Sequence, residues 1–315
     1  TLAEQSKIET NKIDTIFIGG GTPSLINPRY IEKIIATIDK YFDITSNAEI
    51  TLECNPAASD AKHFPDYAAL GINRISIGVQ SFLDDELRFL QRLHSASEAI
   101  ATIEAARKYF NNLSIDLIFG LPEQTFDNIN KSLSQAIALD LPHISCYALI
   151  YEEGTPLFED LLAGKVRPIA DEESADYYLQ ISDFLRLRGY EHYEISNFAR
   201  SGFRCRHNIK YWTCSDTLAF GASSVGMIAG SRYKNVSNVA KYFAFLGKGL
   251  RPEEYSEKLS SEERLTERVY LSLRSLGLKF EDFAAEFGVD LLAILCNEIE
   301  VLVASDFATF ENKTL

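Results

Sequence analysis

The sequence alternates between short apolar runs and longer segments with helical periodicity. The apolar runs are nearly continuous and cover residues 15–20, 49–54, 74–79, 114–120 and 143–150. Runs of this kind predict strands that are buried on both faces of a sheet. Helical patterns lie between them at 30–42, 97–110 and 126–140. This strand–helix–strand order predicts parallel strands joined by right-handed crossovers, and therefore an α/β fold.

Each predicted strand ends in glycine or in a polar residue, about one βα unit apart. The strand ends are Gly20 and Gly21, Glu53, Gln80, Asp116 and Tyr147. In a parallel barrel these ends meet at one mouth, which is where ligands bind. The spacing therefore predicts a ligand site, although any one of these residues alone is equally well explained as a polar strand end before a loop.

Composition narrows the class of protein. The 315 residues allow one large and one smaller domain. A net charge of −14 argues against broad binding to nucleic acid or to anionic membranes. No apolar run approaches the roughly 20 residues that span a bilayer, and the opening TLAEQSKIET is polar and helix-like. We therefore expect a cytoplasmic protein, which leaves peripheral membrane contact and the oligomeric state open. The five cysteines are scattered and indicate neither disulfides nor a metal site.

The second half of the chain has a different pattern. A long helix is predicted at 170–190, a strand at 192–198, and a hydrophilic linker at 247–263. Ser260 and Glu263 fit a capping box that begins a helix. We predict a barrel domain at 1–198, an extension at 199–250, and a small, mainly helical, winged-helix-like domain at 251–315 that stops as a β-hairpin begins.

Five motifs occur in the order and spacing found in radical S-adenosylmethionine (SAM) enzymes. They are GGGTP (19–23), ECNP (53–56), GVQSF (78–82), LQRLHS (90–95) and DLIFGLP (116–122). Over about residues 13–245 the chain resembles the subgroup that contains oxygen-independent coproporphyrinogen III oxidase and the HemW-type haem chaperones. The resemblance implies a partial TIM-type (β/α) barrel. It also implies SAM contacts at Gly20, Gly21, Thr22, Glu53, Gln80, Arg92 and Asp116.

The residue types at these positions suit SAM. Bare glycine backbone lets the amino-acid end of the cofactor approach closely and offers N–H and C=O groups to it. Glu53 or Asp116 can accept hydrogen bonds from hydroxyls or from the ammonium group. Arg92 can pair with the carboxylate, although without the resemblance it is more simply a surface arginine.

One defining element of the family is absent from this sequence. Its members carry Cys-x-x-x-Cys-x-x-Cys after the first strand, and those thiolates hold a 4Fe–4S cluster. Because the sequence contains no such motif, no metal ligand is assigned. Either the sequence begins after the first strand and the cluster loop, or the protein is a homologue without a cluster. The intact set of SAM contacts favours the first explanation.

The stretch RHNIKYW (206–212) resembles the His-Asn-x-x-Tyr-Trp motif of HemW-type haem chaperones. His207 is the candidate haem ligand, with Cys205 as an alternative. No acid occurs from residue 195 to 215, and four basic residues form a local positive region suited to haem propionates: Arg200, Arg204, Arg206 and Lys210. By its chemistry alone the stretch is more simply a surface loop. Val225 also stands about where such sequences carry a further histidine.

Three functions are compatible with these observations. The first is a haem chaperone that binds haem, SAM and a 4Fe–4S cluster and delivers haem to acceptor proteins. The second is a coproporphyrinogen III oxidase that uses SAM in porphyrin biosynthesis. The third is a barrel that has lost its chemistry and serves as a scaffold. Only the HNIKYW stretch distinguishes the first from the second, and it favours the chaperone.

Overall fold

The computed structural model describes residues 12–315; the helix-like opening predicted at residues 1–10 lies outside this range. Residues 12–207 form one compact unit, and residues 208–315 form another. The predicted domain limits, 1–198, 199–250 and 251–315, stay a prediction. No helix among the described residues is both long enough and apolar enough to cross a bilayer.

Seven strands form the sheet of the first unit. They are β1 Lys12–Ile18, β2 Asp43–Cys54, β3 Arg74–Gln80, β4 Asn112–Phe119, β5 His143–Ala148, β6 Glu191–Glu194 and β7 Asn197–Ala199. Their order in the sheet is β1-β2-β3-β4-β5-β7-β6. Strands β1 to β5 pair in parallel, as predicted, whereas β7 pairs antiparallel with both β5 and β6. The sheet is the open half of a (β/α) barrel.

Helices connect the strands. Those of the first unit are α1 Pro28–Tyr41, α2 Ala58–Ala61, α3 Phe64–Ala69, α4 Asp84–Phe89, α5 Ala96–Arg107, α6 Phe126–Ala138, α7 Pro156–Leu162 and α8 Asp171–Arg186. Capping residues explain several starts: Asn27 caps α1, and Ser95 and Thr125 form capping boxes at α5 and α6. The short helix α9, Arg206–Trp212, begins at the end of this unit.

The parallel strands are buried on both faces, but the two faces differ in chemistry. Ile50 and Leu52 of β2 belong to the same apolar core as Ile103 of α5. Successive side chains of a strand point to opposite sides. The second face therefore collects the polar residues between the apolar ones, and we call it the polar face: Glu49, Thr51, Glu53, Arg74, Ser76, Ser114, Asp116, His143 and Ser145. The prediction of two buried faces is confirmed, but it overlooked this strict alternation.

Two local predictions were wrong. The single strand expected at 192–198 is a hairpin of β6 and β7, because the chain reverses between Glu194 and Asn197. The linker expected at 247–263 contains strand β10, Glu253–Lys258, which pairs antiparallel with β9. Hydrophilic composition concealed this strand, since most of its side chains are exposed.

The second unit combines a small sheet with helices. Its strands are β8 Val225–Ile228, β9 Ser231–Asn235 and β10 Glu253–Lys258, in the order β10-β9-β8. Its helices are α10 Val239–Gly247, α11 Ser261–Ser272, α12 Phe280–Phe287, α13 Leu291–Ile294 and α14 Cys296–Ala304. The capping box predicted at Ser260 and Glu263 is confirmed at the start of α11. A separate apolar cluster that includes Phe280, Phe283 and Ile299 forms its core.

Candidate functional site

The three glycines after β1 meet two different structural requirements. A Cβ built on Gly19 would lie 2.8 Å from Cδ of Glu53, so this position keeps space for the glutamate side chain. Gly20 and Gly21 have φ angles of +81° and +70°, which L side chains rarely adopt, and a Cβ at either would meet nothing within 4 Å. The turn therefore leaves bare backbone beside open space, which fits a ligand that lies against the main chain.

Glu53 holds this turn in place. Its Oε2 accepts a hydrogen bond of 2.9 Å from the N–H of Gly20. Glu53 is the last residue of β2 on the polar face, one strand away from the glycines. The carboxylate thus both shapes the turn and stays partly exposed beside it.

A chain of hydrogen bonds links the turn to Arg92. The amide of Asn55 donates to Thr22 Oγ1 at 2.8 Å and accepts from Arg92 Nη2 at 2.9 Å. Arg92 Nη2 also lies 3.4 Å from the carbonyl oxygen of Gly78. Sequence reasoning missed Asn55, although it stands in the ECNP motif and its amide can both donate and accept.

Arg92 is not a freely exposed surface arginine. Burial lowers its pKa, and its Nε is buried without a hydrogen-bond partner among the described residues. Buried donors in folded proteins are nearly always satisfied. An unsatisfied guanidinium nitrogen at this position fits the carboxylate of a ligand.

Gln80 sits in a strained conformation at the end of β3. Its φ of +69° is left-handed, which is uncommon for a residue other than glycine and often marks a functional site. A Cβ built on Gly78 would approach Gln80 Nε2 to 2.9 Å, so Gly78 gives this side chain room. Gly78 also borders Asn55 and Arg92, and the four residues form one group.

Asp116 lies one strand further, beside Ser145 of β5 and Ser76 of β3. Burial raises the pKa of its carboxyl to about 6, with a further increase from Glu53 and opposing effects from Ser145 and Arg74. Its charge also acts on Arg92. The structure therefore brings the seven predicted SAM-contact residues to one edge of the sheet, and their roles stay predictions.

His207 lies elsewhere on the polar face. Its ring is buried, hydrogen-bonds to Thr15 Oγ1 through Nδ1 at 2.9 Å, and stacks on Phe17 at 5.3 Å between ring centroids. Thr15 precedes Gly20 by five residues, or ~16 Å of extended strand. Cys205 is fully buried, and its thiol approaches Glu49 Oε1 at 3.6 Å.

Glu49 anchors the start of the HNIKYW helix. Its Oε2 accepts from the N–H of Arg206 at 3.1 Å, and its Oε1 accepts from the N–H of His207 at 3.0 Å. These N–H groups are the unsatisfied donors of a helix N-terminus, where a carboxylate is also favoured by the helix dipole. A second contact joins the Cys205 N–H to Tyr193 Oη, which bonds to His143 Nε2.

Ion pairs partly neutralise the local positive region predicted around His207. Three of its arginines form ion pairs with acids from other parts of the first unit. The pairs are Arg200–Asp140, Arg204–Glu191 and Arg206–Asp14. The stretch itself is short helix rather than loop. Counting charges along the chain could not reveal these partners, because they are distant in sequence.

The cysteines and acids offer no substitute for the absent cluster motif. Within residues 12–315, no three His, Cys, Asp or Glu side chains form a group that could hold a metal ion. The described part of the chain therefore lacks ligands that fit a 4Fe–4S cluster.

Comparison with known proteins defines the class. Residues 2–136 match the family model of the radical SAM superfamily, and residues 259–315 match that of the HemN C-terminal domain. The solved structure of the radical SAM enzyme coproporphyrinogen III oxidase (HemN) from Escherichia coli superposes with a TM-score of 0.79 at 20% identity. It covers 96% of this chain and 73% of that one. The matches to the family models agree with the half-barrel fold and with the cluster of polar residues at its strand ends. The chain is therefore a radical SAM protein.

More similar relatives specify the family. The haem chaperone HemW of Lactococcus lactis is 34% identical over 304 residues, which cover 96% of this chain and 80% of the relative. HemW of Bacillus subtilis is 34% identical over 282 residues, which cover 89% of this chain and 74% of the relative. The chain therefore belongs to the HemW family.

Proposed function

We propose that this protein binds haem and delivers it to acceptor proteins, a role in keeping with relatives that are named haem chaperones. The observation that carries the proposal is the position of His207, the first residue of the HNIKYW stretch. It contacts the half-barrel through Glu49, Thr15 and Phe17. An imidazole can ligate haem iron, and aromatic faces pack well on a porphyrin. The likeness to coproporphyrinogen III oxidase concerns the fold alone.

We also propose that the strand-end site binds SAM, which would supply a nucleoside-bearing sulfonium beside the half-barrel. Gly20 and Gly21 would offer backbone groups to its amino-acid end, and Arg92 would receive its carboxylate. Glu53 and Asp116 would face its positive charges and hydroxyls. The bare turn and the unsatisfied Arg92 Nε support this fit.

Haem titration tests the proposed function. The wild-type protein should shift the Soret band of haem on binding, and His207→Ala should change the band position and weaken binding about tenfold or more, because an axial ligand is lost. His63→Ala, at a partly exposed helix end, is the matched control and should behave as wild type. Unchanged binding and spectrum in His207→Ala would remove this histidine as the ligand. Consumption of coproporphyrinogen in the presence of SAM would instead support the oxidase. If neither haem binding nor coproporphyrinogen consumption is observed, the scaffold function remains.

The pKa of Asp116 predicts how SAM binding depends on pH. With a pKa of about 6, this carboxyl is mostly protonated at pH 5 and mostly ionised at pH 7. The ionised form attracts the positive charges of SAM, so affinity should be about tenfold weaker at pH 5 than at pH 7. Equilibrium dialysis with SAM measures this change. Asp116→Asn should bind weakly at both values, and a flat wild-type profile would contradict the prediction.

A further inference from the structure

Three neighbouring strands carry buried polar atoms without hydrogen-bond partners among the described residues. The atoms are Thr51 Oγ1, Arg74 Nε and Asn112 Oδ1. Thr51 pairs with Arg74 across β2 and β3, and Arg74 pairs with Asn112 across β3 and β4. Paired residues of parallel strands point to the same side of the sheet. The three atoms thus form one row on the polar face, which we call the Arg74 row.

Arg74 is the most unusual member of this row. It is 2% exposed, yet its Nε is buried without a hydrogen-bond partner among the residues that the structure describes. Its charge acts on Asp116 and His143, but the Asp116 carboxylate does not come within ion-pair distance. Buried charges in proteins are nearly always paired, because an uncompensated one is costly. The two donors of the row, Arg74 Nε and the Thr51 hydroxyl, therefore point to a missing anionic partner, whereas Asn112 Oδ1 needs a donor.

The donors define the class of that partner. A guanidinium is a planar fork that matches a carboxylate with two parallel hydrogen bonds, and the Thr51 hydroxyl can donate a third. His207 stacks on Phe17, and Phe17 is paired with Thr51 in the same row. Two strand spacings, ~10 Å, separate β1 from β3. The row thus places a carboxylate receptor and the candidate haem ligand side by side.

We propose that the Arg74 row binds a carboxylate group. Resting on the proposed function, this carboxylate is a propionate of the porphyrin whose iron faces His207. A porphyrin carries its propionates on the rim of the ring that holds the iron, so one ligand reaches both residues. Arg74 is 2% exposed and His207 is 9% exposed, so the porphyrin reaches them only when the side chains that cover the row move aside.

Titration with haem and with haem dimethyl ester tests this proposal. The ester keeps the ring and the iron but lacks the anionic carboxylates. Wild-type protein should bind haem about tenfold more tightly than the ester, the value of one charge-assisted hydrogen bond. Arg74→Met should bind both equally, and Thr51→Val should lose part of the difference. Arg107→Met is the control, since Arg107 pairs with Glu104 on an exposed helix and should keep the difference.

A second measurement begins with the wild-type protein and uses a conservative variant as its comparison. Thermal unfolding of the wild-type protein is compared in sodium acetate and in sodium chloride of equal ionic strength. A higher midpoint in acetate, absent in Arg74→Lys, supports a carboxylate site, because lysine keeps the charge but not the fork. Acetate stabilisation without preference for haem over its ester assigns the site to a free carboxylate and rejects the propionate.

Failure of the carboxylate proposal can be distinguished from failure of the proposed haem-binding function. Equal binding of haem and ester by the wild type, together with no acetate effect, overturns the proposal and leaves internal water as the partner of the row. Haem binding itself, and its loss in His207→Ala, would still support the proposed function in that case.

Discussion

Replacing Glu49 with glutamine is expected to lower the free energy of unfolding of the first unit by about 2 kcal/mol. Glu49 is 5% exposed, and its two oxygens accept from different N–H groups, those of Arg206 and His207. A glutamine has one acceptor oxygen, so its amide group would face one of these donors. The loss combines one unsatisfied N–H with the weaker attraction of a neutral group to a helix N-terminus.

Urea unfolding monitored by circular dichroism measures this loss, and hydrogen exchange locates it. The amides of Arg206 and His207 should exchange faster in Glu49→Gln than in the wild type. Glu104→Gln is the matched control, since Glu104 lies on the exposed side of α5 and forms an ion pair with the exposed Arg107. Equal midpoints and equal exchange in Glu49→Gln would show that Glu49 does not anchor the HNIKYW helix.

Replacing Arg92 with lysine is expected to weaken SAM binding about a hundredfold, since about 2.7 kcal/mol of hydrogen bonding is lost. Arg92 bonds to Asn55 and to the Gly78 carbonyl, and its buried Nε has no hydrogen-bond partner among the described residues. A lysine ammonium keeps the charge but cannot hold these positions together. Isothermal titration of the wild type and the variant with SAM measures the change.

A nearby arginine provides the control for this experiment. Arg88 lies four residues earlier, on the exposed side of α4, and pairs with Asp85. Arg88→Lys should therefore bind SAM as the wild type does. If Arg92→Lys also keeps full affinity, Arg92 does not contact the cofactor and its unsatisfied Nε needs another explanation.

The two variants probe two parts of one polar face. Glu49 lies in the middle of β2, beside the segment that carries His207, and Glu53 lies near the end of β2, beside the glycine turn. The Arg74 row lies between them in register. A SAM site and a haem site on this face would therefore share the same strands. Titrating one ligand in the presence of the other would measure whether their binding is coupled.

Much of the fold and the position of the candidate site could be predicted from the sequence. Alternating runs predicted the parallel half-barrel, because strand and helix periodicities are local properties of the chain. The glycine turn and the polar strand ends predicted one site, because parallel strands deliver their ends to one edge. The alternation E-I-T-L-E-C in β2 also indicates a polar face, which the prediction of a nearly continuous apolar run overlooks.

Only the tertiary structure decided which groups meet and which remain unpaired. Asn55 belongs to the site because it forms hydrogen bonds with Thr22 and Arg92. Arg200, which the sequence suggests is an unpaired charge, forms an ion pair with Asp140. The unsatisfied Nε of Arg74 was equally invisible, because whether it has a partner among the described residues depends on neighbours in space. The sequence by itself determined the class of fold and the edge where ligands bind, since these depend on periodicity along the chain. Pairing, burial and charge compensation depend on residues far apart in sequence, and folding alone brings those together.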